Sequence, residues 1–232
     1  MARLPRLYAP GVTQLAMADF LPAVSASLDS ACYRNLTRWL AEAARTHEIA
    51  LQGWSLTVAG IGLLATPANA VGVSRVIQSL GRNLASSTRH GSVFAHRYRS
   101  TLLQPGAWVL PALVWLERMP LREGLVEEPD GWPWSSAQAH TGGLAVQPAW
   151  LAPHVDYWAC GNTPFDRQAV YRQILLDGNP PSSDQRIAAA LRGQWALGDE
   201  AFIQGIAGAA SRRLTPGARG RPRKVNPEAA PQ

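Results

Sequence analysis

Residues 49–65, IALQGWSLTVAGIGLLA, decide the fold class of this sequence. Trp54, Leu56 and Val58 alternate with other residues, and a run that is apolar on both faces follows them. Such a pattern is typical of a strand buried inside a sheet. The densely apolar part, residues 56–65, is far shorter than the roughly twenty residues that a membrane-spanning helix needs. We therefore predict one buried strand over this stretch, and a membrane span is the alternative.

The segments on either side of this strand alternate between helix and strand. In residues 29–47, Tyr33, Leu36 and Leu40 recur at three- and four-residue spacing, which predicts an amphipathic helix. Similar reasoning predicts strands at 12–17 and 93–103, and helices at 73–84 and 108–118. Strands and helices that interleave in this way indicate an α/β or α+β sheet domain.

The composition changes after residue 130. Loops rich in Gly, Pro and Trp come first, and helical stretches follow at 165–176, 183–191 and 198–210. We therefore divide the chain into a sheet domain over 1–130, a loop-rich helical module over 131–210, and a basic tail over 211–232 that we expect to be disordered.

The positive charge of the sequence is concentrated in that tail. The 232 residues carry a net charge of +6, but residues 1–210 contain 16 basic and 15 acidic side chains, and the last 22 residues carry +5. A short polycation attracts phosphate, so the tail points to a nucleic acid as partner. Cys32 and Cys160 have no metal-ligand spacing, and we interpret them as reduced thiols of a cytoplasmic protein.

Eight short segments carry a family resemblance. They are MARLPRL (1–7), WSL (54–56) with LLATP (63–67), VSRVIQSLGR (73–82), RYRS (97–100), PLREGLV (120–126), WPWSS (132–136), WALGDEAF (195–202) and RGRPRK (219–224). In this order they resemble the REP-associated tyrosine transposase branch of the single-tyrosine HUH transposases. The resemblance implies a ferredoxin-like HUH domain with a central antiparallel sheet and flanking helices, followed by a small helical C-terminal module.

The catalytic positions of that family are changed in this sequence. Members of the family cut single-stranded DNA with a tyrosine hydroxyl, and a His-apolar-His pair on a central strand holds a divalent metal such as Mg²⁺ or Mn²⁺. Two histidines separated by one residue on a strand project from one face, so both can reach one ion. Here the pair aligns with Gly60 and Gly62, and the tyrosine aligns with Trp115, which has no nucleophilic oxygen. We therefore predict no strand cleavage, no catalytic residue and no bound cofactor.

Two arrangements would allow cleavage by unconventional residues. Tyr98, between two arginines, is the candidate replacement nucleophile, and His90 with His96 is the candidate metal pair. The spacing favours a core tyrosine and two unrelated surface histidines. An active nickase and a scaffold or membrane-associated protein without affinity for nucleic acid are the alternative functions.

The candidate DNA contacts are arginines and one lysine. Arg97 and Arg99 lie on one side of a predicted strand, and Arg75 and Arg82 lie on one face of the helix before it. The tail adds Arg212, Arg213, Arg219, Arg221, Arg223 and Lys224. Within the tail, the segment RGRP (219–222) resembles an AT-hook core, which lies in a narrow A·T minor groove. Trp132 and Trp134 are candidates for stacking on unpaired bases.

These features predict a cytoplasmic, transposase-derived DNA-binding protein that is not bound to a membrane. Its expected partner is a single-stranded DNA hairpin or an A·T-rich minor groove. The family resemblance also implies a homodimer.

Overall fold

The computed structural model describes residues 5–89 and 91–217. The strands β1 to β4 are Gln14–Asp19, Ile49–Leu56, Gly60–Pro67 and Arg99–Leu102. The helices α1 to α10 are Pro22–Ser25, Ser30–Thr46, Gly72–Thr88, Val109–Glu117, Met119–Arg122, Ala137–Thr141, Val155–Trp158, Pro164–Asp177, Pro181–Gly193 and Glu200–Ala207. A short 3₁₀ helix covers Pro129–Gly131.

One antiparallel sheet of four strands, in the order β2-β3-β1-β4, forms the centre of the fold. The chain passes through β1, α2, β2, β3, α3 and β4 in turn, which is a βαββαβ arrangement. β3 and β1 are the two inner strands, and Met17 pairs with Gly62 and Asp19 with Gly60 between them. The predicted α+β class, with a central antiparallel sheet and flanking helices, is confirmed.

The first face of the sheet packs against α2 and α3. Ile61 and Leu63 of β3 are fully buried there against Leu36 of α2 and Leu80 of α3. The helix α2 begins where sequence chemistry predicts, because the carboxylate of Asp29 accepts a hydrogen bond from the Cys32 amide at 2.7 Å.

The second face of the sheet packs against α4, and α8 and α9 lie against that helix. Leu15 and Leu64 point to this face and share a core with Leu113 and Leu116 of α4 and Leu191 of α9. Helices from beyond residue 130 thus contribute to the same core as the sheet. The division of the chain at residue 130 stays a prediction.

A buried polar cluster lies inside this second core, and sequence reasoning missed it. The carboxylate of Glu117, which is fully buried, accepts hydrogen bonds from Ser136 Oγ at 2.5 Å and Tyr171 Oη at 2.7 Å. His140 Nδ1 lies 2.6 Å from the same carboxylate. The three partners come from α6, α8 and the segment between the 3₁₀ helix and α6, so the cluster ties these elements to α4.

Removing one partner of this cluster should destabilise the fold. In Tyr171→Phe, Glu117 Oε2 loses its hydrogen-bond donor in a site that excludes water, and we expect a loss of about 1–3 kcal/mol in the free energy of unfolding. Urea denaturation measures this loss. Tyr8→Phe is the matched control because the Tyr8 hydroxyl makes only an exposed hydrogen bond, at 3.4 Å. Equal losses in the two variants would contradict the role of the cluster.

The prediction of one strand over 49–65 is wrong. The stretch forms a hairpin in which β2 and β3 pair with each other, and the Thr57 amide donates to the Gly60 carbonyl at 3.0 Å. Thr57 Oγ1 also accepts a hydrogen bond from the Ala59 amide at 3.3 Å. The two residues between Thr57 and Gly60 are Val58 and Ala59, and neither is one of the residues that usually mark a two-residue hairpin turn. The apolar sequence therefore gave no sign of a turn.

Several other predicted elements have different lengths in the structure, and one helix and one strand differ most clearly. The helix predicted over 73–84 extends through Thr88, where Arg89 ends it in a left-handed conformation with φ of 57°. The strand predicted over 93–103 is reduced to Arg99–Leu102, preceded by an isolated pairing between Phe94 and Phe20.

The start of the predicted tail packs against the beginning of the chain. The Ser211 amide donates to the Tyr8 carbonyl at 2.8 Å, and Ser211 Oγ accepts from the Tyr8 amide at 2.9 Å. Leu214 is buried against Leu7 and Leu102. A truncation that spares these contacts therefore begins at residue 218.

No helix in the described part of the chain is long and apolar enough to cross a bilayer. Cys32 and Cys160 are both free thiols.

Candidate nucleic-acid interface

The second face of the sheet carries the three positions that aligned with catalytic residues. Gly60 and Gly62 lie opposite Asp19 and Met17 on the neighbouring strand. Residues that pair across antiparallel strands project from the same face. Trp115 of α4 lines a groove that Met17 and Asp19 also line. The structure therefore brings these three positions to one site.

The backbone around Gly60 leaves no space for a side chain. A Cβ atom on Gly60 would lie 2.2 Å from the carbonyl oxygen of Ala18. A Cβ atom on Gly62 would lie 2.3 Å from Leu116 Cδ1 and 2.9 Å from Met17 Sδ. Leu116 and Met17 are side chains that can shift, but the Ala18 carbonyl belongs to a strand and cannot. Apolar side chains and backbone thus fill the space that two imidazoles would need.

The residues present do not fit the divalent metal that the family resemblance implies. Glycine has no side-chain ligand atom, and Gly60 and Gly62 stand at both aligned positions. Over residues 5–89 and 91–217, no group of three or more His, Cys, Asp and Glu side chains is placed to hold a metal ion. Of the candidate metal pair, His90 lies outside the described residues, and His96 Nε2 lies 2.8 Å from Asp19 Oδ2.

Trp115 lies in a groove of about 260 Å³. The Arg122 guanidinium stacks 4.3 Å from the centroid of the Trp115 ring and donates to the Trp115 carbonyl at 2.5 Å. The other charged residues of the groove are Asp19, Arg99, Glu123 and Arg192, and none of its described lining residues is a tyrosine. An arginine therefore stacks on the ring of Trp115, the residue that the family resemblance aligns with the nucleophile.

Both carboxylates of this groove are already engaged. Asp19 Oδ2 accepts a hydrogen bond from Arg99 at 2.5 Å. Glu123 Oε1 accepts a hydrogen bond from Thr57 Oγ1 at 2.9 Å, and burial raises the pKa of the Glu123 carboxyl. Because these acids are paired or partly desolvated, the arginines dominate the charge that the groove presents to a ligand.

A second depression, of about 460 Å³, lies next to this groove and shares Arg99 with it. We call it the arginine pocket; its lining residues are Pro5, Arg6, His96, Arg97, Arg99, Gly193, Gln194 and Arg212. Four arginines and a histidine line it, and none of the described lining residues is acidic.

Two arginines of the pocket are held in place by the fold. Arg6 Nη1 donates to Gln194 Oε1 at 3.1 Å and to the Tyr98 carbonyl, and its guanidinium lies 3.7 Å from the Tyr98 ring centroid. Arg212 donates to the Gln194 carbonyl and lies 5.0 Å from the Trp195 ring centroid. Carbonyls and aromatic rings orient these groups without neutralising them.

The electrostatics of Arg6 show that cations are crowded here. Burial lowers the pKa of Arg6, and the nearby charges of Arg97 and Arg212 act in the same direction. Burial also lowers the pKa of Arg212. Guanidinium groups stay charged throughout the physiological pH range. Asp19 pairs with Arg99 and His96, and no described residue forms an ion pair with the other three arginines of the pocket, Arg6, Arg97 and Arg212.

A third depression, of about 430 Å³, lies along α3 and shares Arg6, His96 and Arg97 with the arginine pocket. Arg82 lines it, whereas Arg75 is exposed on the same helix and does not. The Tyr98 side chain is buried, and its hydroxyl shares a hydrogen bond with Ser74 Oγ at 2.8 Å. Tyr98 therefore anchors the strand to α3, as the structural interpretation of this residue predicts.

The structure gathers some of the predicted contact residues and not others. Arg82, Arg97, Arg99 and Arg212 line the three adjoining depressions, and Arg213 is exposed beside them in sequence. The tail residues Arg219, Arg221, Arg223 and Lys224 lie outside the described residues. Sequence reasoning missed Arg6, Arg122 and Arg192. The first two lie in the segments MARLPRL and PLREGLV. Because these segments carry the family resemblance, Arg6 and Arg122 could have been predicted from them as candidate DNA contacts.

Trp132 and Trp134 pack against the hydrophobic core on the first face of the sheet. Their rings lie 5.8 Å from the Tyr33 ring centroid, and Trp132 Nε1 donates to the Leu56 carbonyl at 2.8 Å. The prediction that these rings stack on bases has no support in this arrangement.

A solved structure shares this arrangement of sheet and helices. It is that of a REP-associated tyrosine transposase bound to a REP hairpin, with a TM-score of 0.52 and 14% sequence identity, over 70% of this chain and 98% of the transposase chain. The two folds are similar. No protein-family model matches the sequence, and no curated protein matches it. At 14% identity the likeness shows the fold alone.

Proposed function

We propose that this protein binds DNA through its arginines and does not cut it. The binding site is an arginine surface, which comprises Arg6, Arg82, Arg97, Arg99, Arg122, Arg192 and Arg212. One observation carries the proposal: these arginines line three depressions that adjoin one another, and the two carboxylates among them, Asp19 and Glu123, are engaged by the fold.

Arginine suits such a surface because its planar guanidinium donates two parallel hydrogen bonds to a phosphate. Contacts of this kind fix the position of a nucleic acid without reading its sequence. The proposed partner is a single-stranded DNA hairpin; the transposase of similar fold is bound to a REP hairpin. The tail residues Arg219, Arg221, Arg223 and Lys224, with Arg213, would add phosphate contacts, and the RGRP segment would favour A·T-rich minor grooves. Arg75 would extend the surface along α3.

The absence of cleavage is supported by Gly60, Gly62 and Trp115. None of the three offers a metal ligand or a hydroxyl, and the Ala18 carbonyl excludes a side chain at residue 60. On this proposal the protein is a transposase-derived DNA-binding protein that acts without a metal cofactor. A homodimer remains a prediction from the family resemblance.

Incubation of the full chain with a labelled DNA hairpin, in Mg²⁺ or Mn²⁺, tests both halves of the proposal. We expect a complex on a native gel and no covalent adduct on a denaturing gel. An adduct would identify an active nickase and overturn the second half. Negligible binding at low salt would favour a scaffold without affinity for nucleic acid and overturn the first half.

Removal of residues 218–232 should leave binding by the arginine surface in place. The truncated protein loses four basic side chains, so its affinity should depend less steeply on salt, by up to about 3 in the slope of log K against log salt for single-stranded DNA. Titrations at three or more salt concentrations measure this slope. Complete loss of binding would show that the tail alone binds DNA.

A further inference from the structure

We propose that the arginine pocket binds the terminal phosphate of a DNA strand. This inference rests on the proposed function and assigns to one part of the arginine surface a specific chemical group, a phosphomonoester.

The charge of the pocket favours a dianion. Asp19 neutralises Arg99 at 2.5 Å, but Arg6, Arg97 and Arg212 form no ion pair with any described residue. An internal phosphodiester carries one negative charge, whereas a terminal phosphate carries about 1.5 to 2 at pH 7. Three uncompensated cations are therefore better balanced by a strand end than by an internal linkage.

The donors of the pocket favour the same group. Arg99 Nε and Arg212 Nε are buried and have no hydrogen-bond acceptor among the described residues, and both arginines line the pocket. An arginine with an unsatisfied N–H group gains a hydrogen bond when its guanidinium turns toward a ligand that supplies oxygen atoms. A terminal phosphate presents three free oxygens, one more than an internal phosphodiester does.

Part of the pocket is ordered before a ligand arrives. Gln194 and the neighbouring Gly193 line it together with Pro5 and Arg6. Arg6 and Arg212 are held by backbone carbonyls, so their guanidinium groups are already ordered before a ligand arrives. Preordered groups lose less conformational entropy on binding. Arg97, in contrast, is exposed and available for contact.

The test compares three forms of one hairpin with a single-stranded extension: a 5′-phosphate, a 3′-phosphate, and hydroxyl groups at both ends. We expect one phosphorylated form to bind the full chain at least tenfold more tightly than the hydroxyl form, in fluorescence anisotropy at fixed salt. Inorganic phosphate should compete with that form at lower concentrations than with the hydroxyl form.

Two variants locate the effect. Arg97→Gln should abolish the preference for the phosphorylated end, because it removes a cation of the pocket that makes no ion pair in the described chain. Arg192→Gln, in the neighbouring groove, should weaken binding of all three hairpins by the same factor and keep the preference. Circular dichroism checks that both variants fold.

The outcomes separate the two proposals. Equal binding of all three hairpins would overturn the terminal-phosphate site and leave DNA binding intact. A preference that survives in Arg97→Gln would also overturn it. Failure to bind any hairpin would overturn the proposed function itself.

Discussion

Replacement of Arg82, Arg97 and Arg192 by glutamine in one protein should weaken hairpin binding about 100-fold. The three side chains are exposed and line the three depressions of the arginine surface, so the fold does not depend on them. Each lost phosphate contact costs about 1 kcal/mol, and the three losses together correspond to roughly two powers of ten. The salt slope should fall by about 2, since fewer counterions are released. Anisotropy titrations at several salt concentrations measure both quantities.

A matched control separates the position of the charges from their number. Arg34, Arg38 and Arg45 are exposed on α2, and none of them lines the three depressions. Their replacement by glutamine changes the net charge by the same amount. We expect the control to bind within about threefold of the wild type, because these arginines line none of the three depressions and salt screens the charges that do not contact the DNA. If the control weakens binding as much as the first variant does, the overall charge and not the arginine surface binds DNA.

Gly60→Ala should destabilise the protein by about 3 kcal/mol. The added methyl group would lie 2.2 Å from the Ala18 carbonyl oxygen, and relief requires a movement of paired strands at the centre of the sheet. Overpacking of a core costs about 1–3 kcal/mol, and backbone against backbone belongs at the upper end. Gly62→Ala should cost less, since the Leu116 and Met17 side chains can move. Urea denaturation measures both.

Gly205→Ala is the control for this series. Gly205 lies in α10 and has open space where a Cβ would go, so alanine should stabilise the helix by about 0.5–1 kcal/mol. If Gly60→Ala is tolerated as well as Gly205→Ala, residue 60 has space for a side chain. The argument against a histidine at that position would then lose its steric basis.

The class of fold could be predicted from the sequence. The hairpin of β2 and β3 could not, because its turn does not contain the residues that usually mark one. The helix α2 and its start at Asp29 could be predicted from the sequence, because periodic spacing and a helix cap each depend on a few local residues. The hairpin at Thr57, Val58 and Ala59 depends on pairing between β2 and β3 and on a hydroxyl contact. Long-range pairing of that kind leaves no signature in local composition.

The arginine surface could be predicted only in part, because the net charge of a sequence does not show where its charged side chains lie in the fold. Residues 1–210 are almost neutral, and that balance suggested that the tail carries the affinity for phosphate. In the folded protein some charges are paired and others are not. Asp19 forms an ion pair with Arg99, and Asp130 with Arg172 at 3.1 Å. Arg6, Arg97 and Arg212, in contrast, line one pocket. Arg6 and Arg212 lie at opposite ends of the sequence, so no local motif could place them together.

The buried cluster around Glu117 includes a serine whose structural role the sequence motif around it does not indicate. The segment WPWSS suggests aromatic rings for base stacking, but Ser136 joins Glu117 to the edge of the sheet. Its hydroxyl donates to Glu117 and accepts from the Trp54 amide, and its own amide donates to the Trp54 carbonyl. Trp132 and Trp134 fix the same segment from the other side through Tyr33.

The contact between Ser211 and Tyr8 closes the chain on itself. Tyr8 and Ser211 lie near the two ends of the described range, and the neighbouring residues Arg6 and Arg212 both line the arginine pocket. A circular permutant in which a linker connects the described segment that contains Ser211 to the one that contains Tyr8, with new ends opened in an exposed loop, should therefore keep the fold.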